Sequence, residues 1–125
     1  MMIHKFNFRI AYADTDADGV VYHARYIEIA ERARMEASKD IIETDGFFVV
    51  AELAIKYKKP LKIKDEIIVE TIFKKPRTAS MQVEQNFTKD GKVHAIITVT
   101  LVYVDKNFKP IRVPDIWLKL GENNE

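Results

Sequence analysis

The apolar and polar residues of the chain follow two different periods. From Tyr26 to about Ile42 the apolar residues recur three and four positions apart, and charged residues fill the positions between them. This spacing predicts one long helix of about 16 residues, roughly 24 Å in length. Asp45 and Gly46 follow it as the stop signal that is expected after a helix.

The rest of the chain alternates apolar and polar residues with the two-residue period of strands. This pattern predicts five strands, at residues 6–12, 47–58, 63–73, 78–88 and 93–104. A hairpin turn is expected from Lys89 to Lys92, and a short helical turn from Asp115 to Leu120 is expected to place Trp117 under the sheet. The order of these elements predicts an α+β fold in which the helix covers one face of a largely antiparallel sheet.

Apolar residues also occupy even positions of the strands, which lie on the opposite face of the predicted sheet. They are Phe48, Val50, Ile68, Ile72, Ile96, Val102 and Val104. Such a face is too apolar for contact with water alone, so the pattern predicts that sheets meet between subunits. The alternative is a set of scattered surface hydrophobic residues without consequence.

Length and composition limit the classes of protein that the chain can be. Its 125 residues are 47% hydrophobic, so residues 1–125 are expected to form a single domain. The net charge of +1 gives no overall attraction to nucleic acid or to membranes, and the absence of cysteine excludes disulfides and thiolate nucleophiles. The chain has no signal-like start and no uncharged stretch of about 18 residues, which predicts a cytoplasmic protein with no membrane span.

The segment ADTDADGVVYHAR, residues 13–25, begins like a calcium loop. Asp14, Asp16, Asp18 and Gly19 match the first half of an EF-hand loop. The closing glutamate is replaced by Arg25, whose charge would repel the metal, and a strand pattern precedes the loop where an EF-hand has a helix. We therefore predict no metal site, and calcium binding stays a minor alternative.

The longer segment ADTDADGVVYHARYIEIAERARMEA resembles the signature of the 4-hydroxybenzoyl-CoA thioesterase family, especially its YbgC-type acyl-CoA thioester hydrolases. Weaker similarity continues through FVVAELAIKYKKPLKIKDEIIVET. The resemblance implies a hotdog fold, in which a curved sheet of about five strands wraps one central helix. It also implies hydrolysis of an acyl-CoA substrate without a cofactor beyond coenzyme A itself. The implied homo-oligomer is a dimer assembled further into a tetramer or a hexamer, and we expect the tetramer.

The resemblance carries the catalytic carboxylate of the family to Asp16, as general base or as nucleophile. A carboxylate just ahead of a helix is expected near unpaired backbone amides and the positive end of the helix dipole. Gly19 is expected to allow a close backbone approach, and amides around Val21 to His23 are expected to hold the oxyanion. Tyr22 and His23 lie in the matching VVYH segment, where His23 contributes its amide or its imidazole; the alternative is a histidine that only packs at the helix start.

Other carboxylates near the loop have structural interpretations. Asp18 is expected to cap the helix, and Asp14 is expected to stabilise a turn. Glu28 and Glu31 lie on the helix, from which another branch of hotdog thioesterases takes its carboxylate. Pairs such as Glu28 with Arg32 are more typical of ion pairs on a helix surface.

Basic residues cluster near two turns of the predicted sheet. Coenzyme A carries a 3′-phosphate and a diphosphate, which lysine and arginine can bind by charge-assisted hydrogen bonds. Arg77, Thr78 and Ser80 stand where the resembled YbgC type carries its RGxS-like turn, and they are expected to bind the nucleotide end of the ligand, with Lys59 as a weaker addition. The alternative is a solvated charged face. No nucleic-acid-binding motif is present, so a nucleic-acid partner is not predicted.

A second function remains open at the level of sequence. Hotdog domains also include proteins without catalysis, so a non-catalytic acyl-CoA-binding or scaffolding protein is the alternative to a thioesterase. Arg25 also departs from the asparagine or serine that the resembled family has before its tyrosine. The sequence does not identify the acyl group.

Overall fold

The structure, a computed structural model, describes residues 2–42 and 45–121. Five strands form one sheet: β1 (His4–Arg9), β2 (Phe47–Tyr57), β3 (Glu66–Phe73), β4 (Ser80–Lys89) and β5 (Lys92–Val104). Their order across the sheet is β1-β3-β4-β5-β2, and every neighbouring pair is antiparallel. The prediction of a largely antiparallel sheet of five strands is therefore confirmed.

Four helical segments accompany the sheet in the described ranges. They are a 3-10 turn (Tyr12–Asp14), α1 (Arg25–Ala37), a second 3-10 turn (Asp115–Trp117) and α2 (Leu118–Gly121). None of these helices is both long enough and apolar enough to cross a membrane. The first strand is shorter than the predicted strand, because the chain leaves the sheet after Arg9 and turns at Tyr12.

Helix α1 is shorter than the sequence predicts. It has 13 residues, about 20 Å, and it does not continue to Ile42. Both the amide and the hydroxyl of Ser38 donate to the carbonyl oxygen of Arg34, at 3.1 and 2.9 Å. Serine competes for backbone hydrogen bonds in this way, and here it ends the helix before the apolar pattern does.

The start of α1 also differs from the prediction. The residue before the helix is Ala24, and no side chain of the described residues caps it. Asp18 lies seven residues before Arg25, in a turn of its own, so the expected helix cap at Asp18 was wrong. The apolar side of the helix, formed by Tyr26, Ile29, Ala30 and Ala33, is buried as expected.

The hydrophobic core lies between α1 and one face of the sheet. Alternate residues of β4 and β5 point into it, and those that are almost fully buried are Met81, Val83, Phe87, Ala95, Ile97, Val99 and Tyr103. The turn after β5 returns Trp117 to this core, where its ring lies 4.8 Å from Phe48 and 6.1 Å from Phe73. The prediction that Trp117 tucks under the sheet is confirmed.

A polar side chain, Gln85 of β4, is also fully buried in the core. Its Nε2 donates to the carbonyl oxygen of Ala30 at 2.8 Å and to Oγ1 of Thr71 at 3.0 Å. Its Oε1 accepts from Nη1 of Arg34 at 2.9 Å. Burial lowers the pKa of Arg34. Buried polar groups are tolerated when they are hydrogen-bonded, so these contacts fix the middle of α1 against β3 and β4.

Strand β2 changes its inward face part-way along. Its register with β5 shifts between Val50 and Glu52, which marks a β-bulge. Before the bulge the even residue Phe48 packs against the core, and after it the odd residues Leu53 and Ile55 do so. The alternation in the sequence predicts that odd residues face inward along the whole of this strand. This prediction was wrong, because the extra residue reverses the alternation.

The outer face of the sheet is less apolar than predicted. Ile72 and Val104 are buried within the chain, and Phe48 packs on the core. Ile68, Ile96 and Val102 stay half-buried, and Val50 is exposed. Four of the seven residues predicted on the outer face thus remain accessible to a partner.

Candidate functional site

A small hairpin joins the turn at Tyr12 to helix α1. Thr15 and Val21 form an isolated antiparallel bridge, and the amide of Asp16 donates to the carbonyl oxygen of Val20 at 2.9 Å. At its tip, the amide of Gly19 donates to the carbonyl oxygen of Asp16 at 3.0 Å. Gly19 has a φ of 79°, a backbone conformation that favours glycine, whereas a Cβ there would meet no atom within 4 Å. The glycine thus serves the turn, and no close approach within the chain requires it.

The carboxylate of Asp16 is exposed and is held by its own hairpin. Its Oδ1 accepts from the amides of Asp18 at 2.9 Å and of Val20 at 3.4 Å. Its Oδ2 accepts no hydrogen bond from the residues that the structure describes. Within the described residues, the expected contact of this carboxylate with amides at the start of α1 is not found, and both amides that it accepts from belong to its own hairpin.

A buried ion pair closes the base of this hairpin. Asp14 is only 2% exposed, and its Oδ1 accepts from Nε of Arg25 at 2.7 Å. Its Oδ2 accepts from the amide of Ala11 at 2.8 Å. The hydrogen bond with Asp14 raises the pKa of Arg25. This ion pair was not predicted from the sequence, although the opposite charges of Asp14 and Arg25 stand on either side of one loop.

A cleft of about 310 Å³ opens beside the start of α1. His23 and Lys59 line it together with two aromatic residues, Tyr26 and Tyr57. The rings of the tyrosines lie 5.3 Å apart, and the hydroxyl of Tyr57 donates to the carbonyl oxygen of His23 at 2.9 Å. Burial raises the pKa of Tyr26, so this tyrosine stays neutral. Asp16 is not among the described residues that line this cleft.

The backbone amides proposed for an oxyanion are only partly available. The amide of Val21 donates to the carbonyl oxygen of Leu61 at 2.8 Å, and the amide of Tyr22 donates to that of Asp14 at 3.4 Å. The amide of His23 donates to no acceptor in residues 2–42 and 45–121. The expectation for Val21 is therefore wrong, and His23 provides the available donor.

The predicted phosphate-binding residues lie in more than one cleft. Arg77 and Ser80 form a tight turn, with the amide of Arg77 donating to the carbonyl oxygen of Ser80 at 2.8 Å. Both line a cleft of about 410 Å³ with Lys74 and Lys75. Thr78 lines a separate cleft of about 240 Å³, which it shares with Arg77. Lys59 belongs to the cleft beside α1 instead.

Strand β2 gives the distance between the cleft beside α1 and the basic cleft of about 410 Å³ that Arg77 and Ser80 line. Glu52 lines the basic cleft, and Tyr57 lines the cleft beside α1. Five residues of extended strand separate them, which corresponds to roughly 17 Å. Within one chain the predicted catalytic and phosphate-binding residues therefore form two groups rather than one pocket.

The hairpin differs from a calcium loop in the partners of Asp14 and in the element before it. The described part of the chain contains no cluster of three or more metal-ligating side chains. Both oxygens of Asp14 accept hydrogen bonds, from Ala11 and from Arg25. A strand and a 3-10 turn precede the hairpin where an EF-hand would need a helix.

Comparison with known proteins gives matches over most of the chain. Residues 10–119 match the thioesterase-like superfamily. The acyl-CoA thioesterase YbgC of Haemophilus influenzae is 36% identical over 125 residues, and the match covers 91% of this chain and 92% of that protein. The matched region includes the hairpin, α1 and the whole of β2 to β5.

Solved structures share the same arrangement of the chain. A probable thioesterase from Bartonella henselae superimposes with a TM-score of 0.82 at 30% identity, covering 90% of this chain and 100% of that chain. A 1,4-dihydroxy-2-naphthoyl-CoA thioesterase from Synechocystis gives a TM-score of 0.87 at 14% identity, covering 98% and 97%. The second likeness concerns the fold alone.

Proposed function

Because the chain belongs to the thioesterase-like superfamily, we propose that it is an acyl-CoA thioesterase of the YbgC type with a hotdog fold. The reaction hydrolyses a small or medium acyl-CoA to the free acid and coenzyme A. The observation that carries this proposal is the identity of 36% with an acyl-CoA thioesterase over nearly the whole of both chains. The cleft of about 310 Å³ beside α1 is compatible with a small acyl group.

Asp16 is the proposed catalytic carboxylate. Support comes from its exposed position and from Oδ2, which has no hydrogen-bond donor among the described residues and so can accept a proton. As a general base it takes a proton from water while the water oxygen bonds to the carbonyl carbon; the C–S bond then breaks and the thiolate takes a proton. As a nucleophile it forms an acyl anhydride as the C–S bond breaks, and water hydrolyses that anhydride.

The backbone amide of His23 is the proposed oxyanion donor. It lies just before α1, where backbone amides lack partners within the helix, and it donates to no acceptor within the described ranges. Tyr57 holds the carbonyl group of the same residue at 2.9 Å, which fixes the backbone of His23 next to the cleft. Preorganised donors of this kind stabilise the negative charge that develops on a carbonyl oxygen. Tyr22 and Gly19 then shape the hairpin rather than act on the substrate.

The active site is proposed to lie between subunits of a homo-oligomer. Asp16 is exposed in the single chain, and the two groups of predicted residues lie in separate clefts. Strand β2 is an edge strand of the sheet, and exposed apolar residues along it include Phe47, Val50 and Tyr57. Edge strands with such residues favour pairing with another copy.

We expect a dimer-based tetramer in solution. The accessible part of the outer face, with Ile68, Ile96 and Val102, would join two dimers formed at β2. Sedimentation equilibrium should therefore give four times the chain mass of 14.5 kDa at micromolar concentration. A mass of one chain at that concentration would contradict the shared active site.

Arg77 is proposed to bind phosphate groups of coenzyme A, together with Ser80 and with Thr78 of the same turn. Replacing Arg77 by glutamine should raise KM for an acyl-CoA about three- to tenfold, because an exposed charge-assisted hydrogen bond is lost. The N-acetylcysteamine thioester of the same acid lacks the nucleotide, so its KM should not change. The comparison of the two substrates isolates the contribution of the phosphates.

Arg9→Gln is the matched control for this substitution, because Arg9 is an exposed arginine on β1, at the opposite edge of the sheet from β2. It should leave both KM values unchanged. If Arg77→Gln raised KM equally for the two substrates, the substitution would affect binding of the acyl group or the fold, and not binding of the phosphates.

Release of thiol from a panel of acyl-CoAs tests the proposed function directly. Aromatic, short-chain and long-chain thioesters should be compared with and without the protein, and coenzyme A should appear only with the protein. Binding of acyl-CoA without thiol release would favour the alternative, a non-catalytic acyl-CoA-binding or scaffolding protein. The ranking of the thioesters would also identify the preferred acyl group.

A further inference from the structure

The ion pair between Asp14 and Arg25 spans the base of the hairpin that carries Asp16. Asp14 stands one residue before the bridge of Thr15 with Val21, and Arg25 is the first residue of α1. The 2.7 Å contact between the two side chains thus joins the two ends of the hairpin. Asp16 is two residues from one end of this connection.

The ion pair between Asp14 and Arg25 is largely buried, unlike an ion pair on the protein surface. The side chain of Asp14 is only 3% exposed, and that of Arg25 is 25% exposed. A buried carboxylate needs its partners, since an unpaired buried charge is strongly unfavourable. Arg25 also contacts the carboxylate of Glu28 one turn along α1, so its guanidinium group is held from two sides.

Other contacts hold the tip of the hairpin against the following turn. The amide of Ile63 donates to the carbonyl oxygen of Gly19 at 3.1 Å, and Val20 bridges to Lys62. Loss of the ion pair should therefore loosen the base of the hairpin without releasing the whole segment. This limits the expected effect on catalysis to a moderate one.

We propose that Arg25 is a positioning residue, which acts through Asp14 to fix the hairpin that carries Asp16 against the start of α1. The proposal rests on the proposed function for its effect on catalysis. The hydrogen bonds of the Arg25 side chain go to Asp14 and Glu28, and neither residue is Asp16 or part of the described lining of the cleft beside α1. Its effect should appear in the rate of the chemical step, and binding of coenzyme A should not depend on it.

The test compares Arg25→Gln with Arg25→Lys. We expect Arg25→Gln to lower kcat about tenfold with KM changed less than about twofold, the pattern for an interaction that matters only in the transition state. Arg25→Lys keeps a cation that can reach Asp14, so it should recover most of the lost kcat. Arg9→Gln removes an exposed ion pair with Glu66 and should leave kcat unchanged.

Hydrogen exchange provides a readout that does not depend on activity. In Arg25→Gln the amides of Asp16 and Val21 should exchange about tenfold faster, and the amides of β4 should keep their protection. Wild-type kcat in Arg25→Gln would overturn the proposal. Faster exchange throughout β4 would overturn it as well, because the pair would then only stabilise the fold.

The two readouts separate this proposal from the proposed function. If the wild-type protein releases no thiol but Arg25→Gln still shows faster exchange confined to the hairpin, the enzymatic assignment fails and the structural role of Arg25 stands. If the wild-type protein hydrolyses acyl-CoA and Arg25→Gln matches it in kcat and in exchange, the role of Arg25 fails alone.

Discussion

Replacing Asp16 by asparagine is expected to remove nearly all thioester hydrolysis, a loss of about 10²- to 10⁴-fold in kcat. The amide group of asparagine can neither take a proton from water nor attack a carbonyl carbon. Its oxygen can still accept the hydrogen bonds from the amides of Asp18 and Val20, so the hairpin should keep its shape. Release of coenzyme A should be measured under saturating substrate, alongside sedimentation to check that the oligomer is intact.

Asp18→Asn is the matched control for this result. Asp18 is an exposed aspartate of the same hairpin, and only its backbone amide takes part in the contacts of Asp16. Its substitution removes one negative charge from the same place and should leave kcat within about twofold of wild type. Wild-type turnover in Asp16→Asn, or an equal loss in Asp18→Asn, would refute the catalytic assignment.

Replacing Phe87 by alanine is expected to destabilise the protein by about 3–5 kcal/mol. The side chain is fully buried in β4, and its ring lies 5.3 Å from the ring of Tyr26 on α1. Its removal leaves a cavity between the sheet and the helix that the close-packed core cannot fill. The midpoint of thermal unfolding should fall by roughly 10 °C or more, as measured by calorimetry.

Phe108→Ala makes the same chemical change at an exposed position. Phe108 is 69% exposed and contacts the ring of Phe47 at 5.8 Å, so its loss should cost no more than about 1.5 kcal/mol. Because Tyr26 also packs on Tyr57, which holds His23, the Phe87 variant should lose activity in parallel with its stability. Equal midpoints for the two variants would contradict the described core.

The sequence predicted the strands correctly where apolar and polar residues alternate regularly and one face of the strand is buried. The inward residues of β4 and β5 follow the predicted odd positions, since neither strand is interrupted at its centre. The hairpin turn is also as predicted, with positive φ at Asp90 and Gly91. The family and the enzyme class, inferred from the loop and helix motif, are confirmed by the relatives.

The missed features depend on contacts between distant residues or on single hydrogen bonds. The end of α1 depends on the hydroxyl of Ser38, and the burial of Gln85 depends on three partners from two other elements, α1 and β3. The carboxylate of Asp16 turns to its own hairpin because the amides of Asp18 and Val20 are closer in the chain than the helix is. The periodicity of the sequence does not predict such individual hydrogen bonds.

The bulge in β2 determines which residue of the strand faces the start of α1. Without the extra residue near Ala51, Tyr57 would point away from the helix and Lys56 would take its place. The aromatic wall of the cleft and the support of His23 would then be replaced by a cation. The gain or loss of one residue in an edge strand therefore changes an aromatic wall of a cleft into a charged one, with every helix and strand of the scaffold retained.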